Sequence, residues 1–372
     1  MTPMRVGPPQ EDADGRIRIT RVSDVSAALR QPSLAVGPRA LERRGVDTGP
    51  LVDLRRGQLI NMNGEEHSAL RRTMERAFSP RAVRRMQESV ARRSHKLVDE
   101  IDFSSPVDLV DRLAFRLPIS VIADMLGLEG DVEAIREFSS ALVRTFDPDL
   151  DDAGLLAASD AASALSALVR EAIAERRDDP RDDLLSDLVE SARVESIPDS
   201  VAVANAILLV TAGFETTMGL IANSVLLLTS HRAALAEVVS QPQLTTKAVE
   251  ETLRLESPIS SIVRMASDPV VIGGKSISAG QDVIIDLAAA NRDPNVFEDA
   301  DSFRLTRTQN SHVAFGGGPH FCLGAALGRL EGNAALSALL PWLPRLTLLD
   351  EVVQWKNHPT VHCPARMPVV LS

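Results

Sequence analysis

Apolar positions along most of this chain recur every three or four residues, the rhythm of helices with one buried face. Such stretches cover 65–100, interrupted at Pro80, and then 108–127, 131–146 and 153–177, the last three rich in Ala and Leu. Pro198, Asp199 and Ser200 announce a long helix over 201–229, and another covers about 244–256. Near the start, "IRITRVS" (17–23) alternates as a strand does, and "SDVSAALRQ" follows as a short helix. Residues 35–60 hold many breakers and read as a long loop. Beyond 256 the rhythm changes. "VVIGGKSI" and "DVIIDLAAA" are β-branched segments around Gly-Gly, which predicts a hairpin and strands. A helix from about 325 to 340 and a final strand pair in "TVHCPARMPVVL" complete the chain. The sum is mainly α with a minor β portion, and the helices are too consecutive for a doubly wound sheet.

Composition narrows this further. The 372 residues contain no Gly/Ser or Pro-rich linker and no fixed repeat, so 1–372 reads as a single domain with a short polar leader at 1–16. A formal charge of −11, no tyrosine and 3% aromatics argue against nucleic-acid binding. "MTPMRVGPPQEDADGR" has no apolar segment, so neither a signal peptide nor a membrane anchor is expected. The apolar run 201–228 carries Asn205, Glu215 and Asn223, which suits a buried helix of a soluble protein. The charge run "ERRDDPRDD" (175–183) reads as a solvated hinge between helices. Two cysteines and no C-x-x-C exclude a disulfide framework and a zinc site, and fit a reducing, cytoplasmic compartment.

One of those cysteines sits in "FGGGPHFCLG" (315–324), four glycines and a proline in ten residues. Cys322 precedes the helix "AALGRLEGNAALSALL", where the dipole and unpaired N–H groups favour a thiolate. Glycines let backbone approach something flat or bulky. A nucleophile, a redox sensor, a metal ligand and a small buried hydrophobe all remain open at this point.

The spacing Phe315-x-x-Gly318-x-His320-x-Cys322-x-Gly324 resembles the haem-binding signature of the cytochrome P450 family. Other segments resemble that family in the same order. Glu251-x-x-Arg254 matches its E-x-x-R pair; the arginine expected to complete the pair from "DADSFRLTR" is replaced by Ser302, leaving Arg304 or Arg307 as substitutes. "AGFETT" (212–217) is similar to its central-helix signature, in which Gly213 makes room for dioxygen and Glu215 and Thr216 relay protons. Thr216, bonding a carbonyl one turn back, is expected to distort the helix. The resemblance runs from about Ile17 to the C-terminus, and the family has a further helix and strand before 17–30 that only the leader precedes here.

The resemblance implies a P450 fold with haem b between the long central helix and the cysteine-loop helix, and Cys322 as the iron ligand. Phe315, Gly316 and Gly324 shape the loop, while His67, Arg71, Arg264 and His320 bind the propionates. By family alignment the substrate pocket draws on Leu208, Thr211, Ala212, Ser260, Ser261, Ile262, Thr360 and Val361, an apolar lining with small hydroxyls. The loop at 35–60 and the helices at 131–177 form its lid. Residues 71–96 hold nine Arg/Lys against Glu75 and Glu88, a basic patch suited to an acidic ferredoxin fed by an NAD(P)H reductase. The expected activity is a soluble bacterial-type monooxygenase using O2 on a small or medium lipophilic substrate. Its rivals are a peroxide-driven peroxygenase, which needs no Glu215–Thr216 pair, a non-catalytic haem-thiolate sensor and a haem-free cysteine enzyme.

Overall fold

In the computed structural model, which describes residues 5–42, 44–76, 78–127, 132–146, 150–350, 352–358 and 360–371, helices form where the apolar rhythm predicts them. The main ones are Gly64–Glu75, Pro80–Asp99, Arg116–Leu126, Val132–Val143, Asp152–Asp178, Asp199–Ser230, Thr245–Leu255 and Ala325–Leu339; Leu184–Val194 and Arg232–Ser240 are further helices that the sequence pattern does not mark. Pro80 opens its helix, because its fixed φ suits a first position where no N–H is required. The stretch expected as one helix at 108–127 begins with strand residues Val107–Asp108 and a π-helical turn, Val110–Phe115. Among the described residues two helices are long and apolar enough to cross a membrane, Asp152–Asp178 and Asp199–Ser230; 78% of the second one's most apolar window is buried in the protein, as in a core helix.

The chain folds as two compact units. The first holds the residues up to Ala35, Arg85–Leu117 and everything from Thr216 onward. Its five-stranded sheet runs in the order Gln10–Glu11, Ile17–Ile19, Asp282–Asp286, Ser261–Ala266, Leu34–Ala35. Only Ile17–Ile19 and Asp282–Asp286 pair in parallel. The Asp282–Asp286 strand is buried at every position, as expected of a strand covered on both sides. Ile17, Ile19, Val283 and Ile285 pack with Val25 and Leu29 of the first helix, Val22–Arg30. The leader is not merely polar chain, since Gln10–Glu11 pairs antiparallel with Ile17–Arg18. Asp12 accepts the N–H groups of Asp14 and Arg16 in the turn between; residues 1–4 lie outside the described residues. The hairpin Val270–Ile277 turns on Gly273 and Gly274, at φ +54° and +82°. The tail forms one strand, Pro368–Leu371, between Leu346–Leu348 and Val107–Asp108. Its expected partner does not form, because Val361 bridges to Ile259 instead and Pro364 lacks a ladder donor.

The second unit holds Val36–Arg84 and Pro118–Glu215 and is helical. The supposed loop at 35–60 contains a helix, Pro50–Gly57, again with proline at its start. Gly57 abuts the central helix, where an added Cβ would lie 2.9 Å from Ala204 Cβ. Asn205 locks this contact, donating to Gly57 O at 2.8 Å and accepting Leu59 N–H at 2.8 Å.

The charge run at 175–183 is not a solvated hinge throughout. Arg176 is 1% exposed, donates to Asp183 Oδ2 at 2.7 Å and to the Gly127 carbonyl at 2.7 Å. Asp183 also caps the helix Leu184–Val194 by accepting Ser186 N–H at 2.7 Å. Burial raises its carboxyl, but the Ser186 N–H and Arg176 outweigh that and hold it below the ordinary carboxylate value. Helical periodicity cannot separate such an inward arginine from its exposed neighbours in a run of charges. Arg176→Met leaves Asp183 without its cation, and breaking a buried pair costs about 3–5 kcal/mol. Urea denaturation should show a loss of that order; less than about 1 kcal/mol, the worth of a surface pair, would return the run to solvent.

Candidate functional site

The cysteine loop is built from backbone demands. Gly316 and Gly318 sit at φ +69° and +64°, where L side chains are strained. Gly318 also lies against the Leu29 carbonyl, so that a Cβ there would strike backbone, and a Cβ on Gly317 would come 3.3 Å from Leu29 Cδ1. The loop therefore rests on the C-terminal end of the helix Val22–Arg30. Pro319 falls in the first positions of the 3-10 turn Gly318–His320, where no backbone donor is needed. Cys322 N–H donates to Phe315 O at 2.9 Å, which closes the loop. Gly324 caps the helix Ala325–Leu339 at φ −84°, with open space where a Cβ would stand. Cys322 forms no disulfide and is exposed, at the N-terminal end of that helix; Cys363 is buried.

The segment leading to the loop is held by buried charge. Arg254 and Glu251 are 0% and 1% exposed and meet through Nε–Oε2 at 2.9 Å and Nη2–Oε1 at 2.8 Å. The other Arg254 donors reach the carbonyls of Asn291, Ala300 and Ser302, so all five N–H groups are used. Arg307 supplies the completing arginine, with Nε 3.1 Å and 3.3 Å from the two Glu251 oxygens. Arg304 contributes its backbone N–H to Glu251 Oε1 at 3.0 Å, while its side chain faces Glu298 and Asp299. Ser302 takes part through its carbonyl.

Beside Glu251, Glu250 faces the cysteine helix. It accepts Arg329 Nε at 2.6 Å and Nη2 at 3.1 Å, and meets His312 Nε2 at 3.2 Å. Burial raises its carboxyl, but His312 and Arg329 bring it down to about 2. The Arg329 guanidinium lies 4.4 Å from the Phe315 ring centroid.

The central helix Asp199–Ser230 is unbroken, with no distortion at Thr216 that ends or divides it. Most of it is buried, but Ala212 is exposed and Gly213 and Thr216 are half-buried, one open stripe at i, i+1, i+4. Gly213 is not forced by crowding: an added Cβ would stand 3.7 Å from Ile122. Glu215 is buried next to Thr216. Thr211 is buried too, its hydroxyl donating to the Ile207 and Leu208 carbonyls at 3.0 Å and 3.2 Å, and Leu208 beside it is buried. Among the other pocket candidates, Ser260 and Thr360 come together: Ser260 N–H donates to Thr360 O at 2.9 Å, next to the Ile259–Val361 bridge. Ser261 and Ile262 open the strand that carries Arg264. His67 and Arg71 lie a turn apart on the helix Gly64–Glu75; His67 is 2% exposed and Arg71 Nε is 2.7 Å from Glu75.

These residues fit haem. Arg264 is half-buried and burial pushes its guanidinium down to about 10, yet no carboxylate pairs with it among the described residues. A cation placed so suits an anionic ligand. The exposed thiol supplies a soft donor for iron, and the small-residue stripe of the central helix admits a flat group.

Two groups escaped the sequence reading. Glu331, nine positions after Cys322, is 2% exposed, its carboxyl bonded to the Thr217 hydroxyl and its Oε1 without a hydrogen-bond partner. Burial pushes it up to about 8. Glu250 with Arg329 and His312 is the second. The available signal for the first was a single acid inside a helix rich in Ala, Leu and Gly.

Comparison with known proteins gives the family. The family described as Cytochrome P450 matches residues 51–342. The biotin biosynthesis cytochrome P450 of Bacillus subtilis is 35% identical, over 81% of this chain and 76% of its own length. The mycinamicin IV hydroxylase/epoxidase of Micromonospora griseorubida is 34% identical, over 95% and 88%. Among solved structures, P450BioI in complex with a hexadec-9Z-enoic acid-ligated acyl carrier protein superimposes with a TM-score of 0.93 at 31% identity, covering 98% of this chain and 95% of that one.

Glu331 gives stability a defined pH dependence. Its folded value of about 8 lies above the ordinary 4.5, so between these the folded protein holds a proton that the unfolded chain has released. Its contribution is complete below the unfolded value and is lost as pH rises through that window. The urea midpoint of the native protein should therefore fall more from pH 5 to pH 8 than that of Glu331→Gln; equal falls would mean that Glu331 is ionised in the fold.

Proposed function

The chain belongs to the cytochrome P450 family, and on that premise we propose that it is a haem-thiolate monooxygenase with Cys322 as the iron ligand, inserting one oxygen atom of O2 into a small or medium lipophilic substrate. The observation that carries this reading is the exposed Cys322 thiol, held in a glycine loop at the start of a helix. The helix dipole and the loop N–H groups favour the thiolate there. Haem, when bound, supplies dioxygen activation, and the thiolate donates electron density for O–O cleavage.

The remaining steps belong to protein groups. Arg264, His320, His67 and Arg71 bind the propionates; Arg264 stays charged at neutral pH, since its value of about 10 is still well above 7. The open stripe of Ala212 and Gly213 leaves space beside Thr216. Thr216 passes a proton from its hydroxyl, and the buried Glu215 next to it reloads that hydroxyl. The pocket walls, Ile262, Val361 and the methyl-bearing face of Thr211 among them, are apolar and exclude water from the reacting C–H bond. Thr211 contributes no spare donor, because its hydroxyl is committed to helix carbonyls.

Electrons come from a separate acidic ferredoxin served by an NAD(P)H reductase. Arg71, Arg92 and Lys96 are paired with Glu75, Glu88 and Glu100, while Arg72, Arg81, Arg84 and Arg85 are exposed and supply the patch its net positive charge. The two cysteines form no disulfide, in keeping with a cytoplasmic protein.

The ferrous–CO complex should show the red-shifted Soret band of thiolate ligation, and Cys322→Ser should abolish it; a histidine-type band in the native protein would overturn the assignment. Thr216→Ala should release peroxide and lower product per NAD(P)H consumed, on the order of 10²-fold; unchanged coupling would remove Thr216 from proton delivery. Arg72→Glu with Arg84→Glu should slow reduction by ferredoxin several-fold and leave substrate affinity unchanged; a weakened substrate and an unaltered reduction rate would put the docking face elsewhere.

A further inference from the structure

Glu250 and Glu251 are adjacent on one helix and point to different neighbours, since consecutive positions on a helix do not share a face. Glu251 holds the irregular segment that carries Arg307. Glu250 instead forms a fork with Arg329, four residues into the helix that follows the cysteine loop. Its bonds to Arg329 Nε and Nη2 fix the plane of the guanidinium, which a single contact would not do. That plane lies over Phe315, 4.4 Å from guanidinium carbon to ring centroid. His312 closes the far side. Its side chain is 3% exposed and its ring centroid is 6.0 Å from that of Phe315. Its Nδ1 accepts the Ala314 N–H at 3.3 Å, so Nε2 carries the hydrogen and donates it to Glu250. Phe315 in turn accepts the Cys322 N–H through its carbonyl. An unbroken series of contacts thus runs from Glu250 through Arg329 and Phe315 to the backbone of Cys322.

We propose that Arg329 and Glu250 are a positioning pair for the cysteine loop, which fixes Phe315 over the loop and, through the balance of their two charges, sets how readily the thiolate-ligated centre accepts an electron. The inference rests on the haem-thiolate reading. Its physical basis is Coulombic. Reduction adds a negative charge to a centre that already bears a thiolate, and a fixed cation nearby favours that step while a fixed anion opposes it. As a pair the two charges largely cancel, so each alone should have a larger effect than both together.

The experiment measures the reduction potential of the purified holoprotein for the native chain, Glu250→Gln, Arg329→Met and the double variant. Glu250→Gln leaves the cation unbalanced and should raise the potential. Arg329→Met leaves the anion and should lower it, and the double variant should return toward the native value. A purely structural role predicts shifts of the same sign in both single variants, and that result, or no shift in either, overturns the proposal. Arg329→Lys keeps the charge and loses the fork. It should leave the potential near native but speed deuterium uptake across residues 315–323 several-fold; unchanged uptake would reject the positioning role. The native ferrous–CO band separates the two levels. Without a thiolate-type band the haem-thiolate reading fails, whereas with the band present and the potentials unmoved only this inference fails.

Discussion

The site depends first on a carboxylate taken out of water. Glu251 is almost fully buried, and the Coulombic attraction of one arginine does not repay the desolvation of two ions. The cost is met by completeness. Arg254 uses all five donors, and Glu251 also receives Arg307, the Arg304 N–H and Asn310. The carbonyls of Asn291, Ala300 and Ser302 are thereby fixed in a segment that is neither helix nor strand. That segment ends at the cysteine loop. Asn291 accepts from Arg254 with its backbone and from Val313 N–H, at 2.7 Å, with its side chain. The order of an irregular chain, and the place where Phe315 begins, are thus set by charge burial more than by any backbone ladder.

The loop itself adds a second restraint of a different kind. Gly318 must be glycine for two separate reasons, a positive φ and the Leu29 carbonyl beneath it. The helix Val22–Arg30 belongs to the sheet core that also contains Val283 and Ile285, on the strand next to the one bearing Arg264. One apolar core therefore supports both the thiol-bearing loop and a cation proposed to meet the same ligand.

Legibility from the sequence followed the periodicity of the underlying physics. The helices, the Gly-Gly hairpin and the cysteine loop were readable because each imposes a repeating or a backbone-dictated residue choice. The helix Pro50–Gly57 was hidden because proline marks both breaks and helix starts, and only the packing of Gly57 on Ala204 separates the two. Arg307 could not be told from Arg304, since an aperiodic segment gives no rule for which arginine turns inward. Arg176 was missed for a related reason. In a run of like residues, sequence spacing does not mark the one whose partner, Gly127 O, lies far away in the chain. Glu250 and Glu251 show the limit of motif reading: the pattern names the second glutamate and is silent on the first.

The central helix shows how burial selects among chemically equal residues. Thr211, Thr216 and Thr217 all lie within two turns. A buried hydroxyl needs a partner: Thr211 has the Ile207 and Leu208 carbonyls and Thr217 has Glu331. Those bonds hold the two hydroxyls away from the open stripe. Thr216 alone of the three is on it, with Ala212 and Gly213. The stripe is narrow because the helix is apolar and buried at most of its other positions. The relay proposed for Glu215 and Thr216 therefore follows from the position of Thr216 as much as from its chemistry, and Thr217, with the same side chain one residue on, is excluded from it by its bond to Glu331.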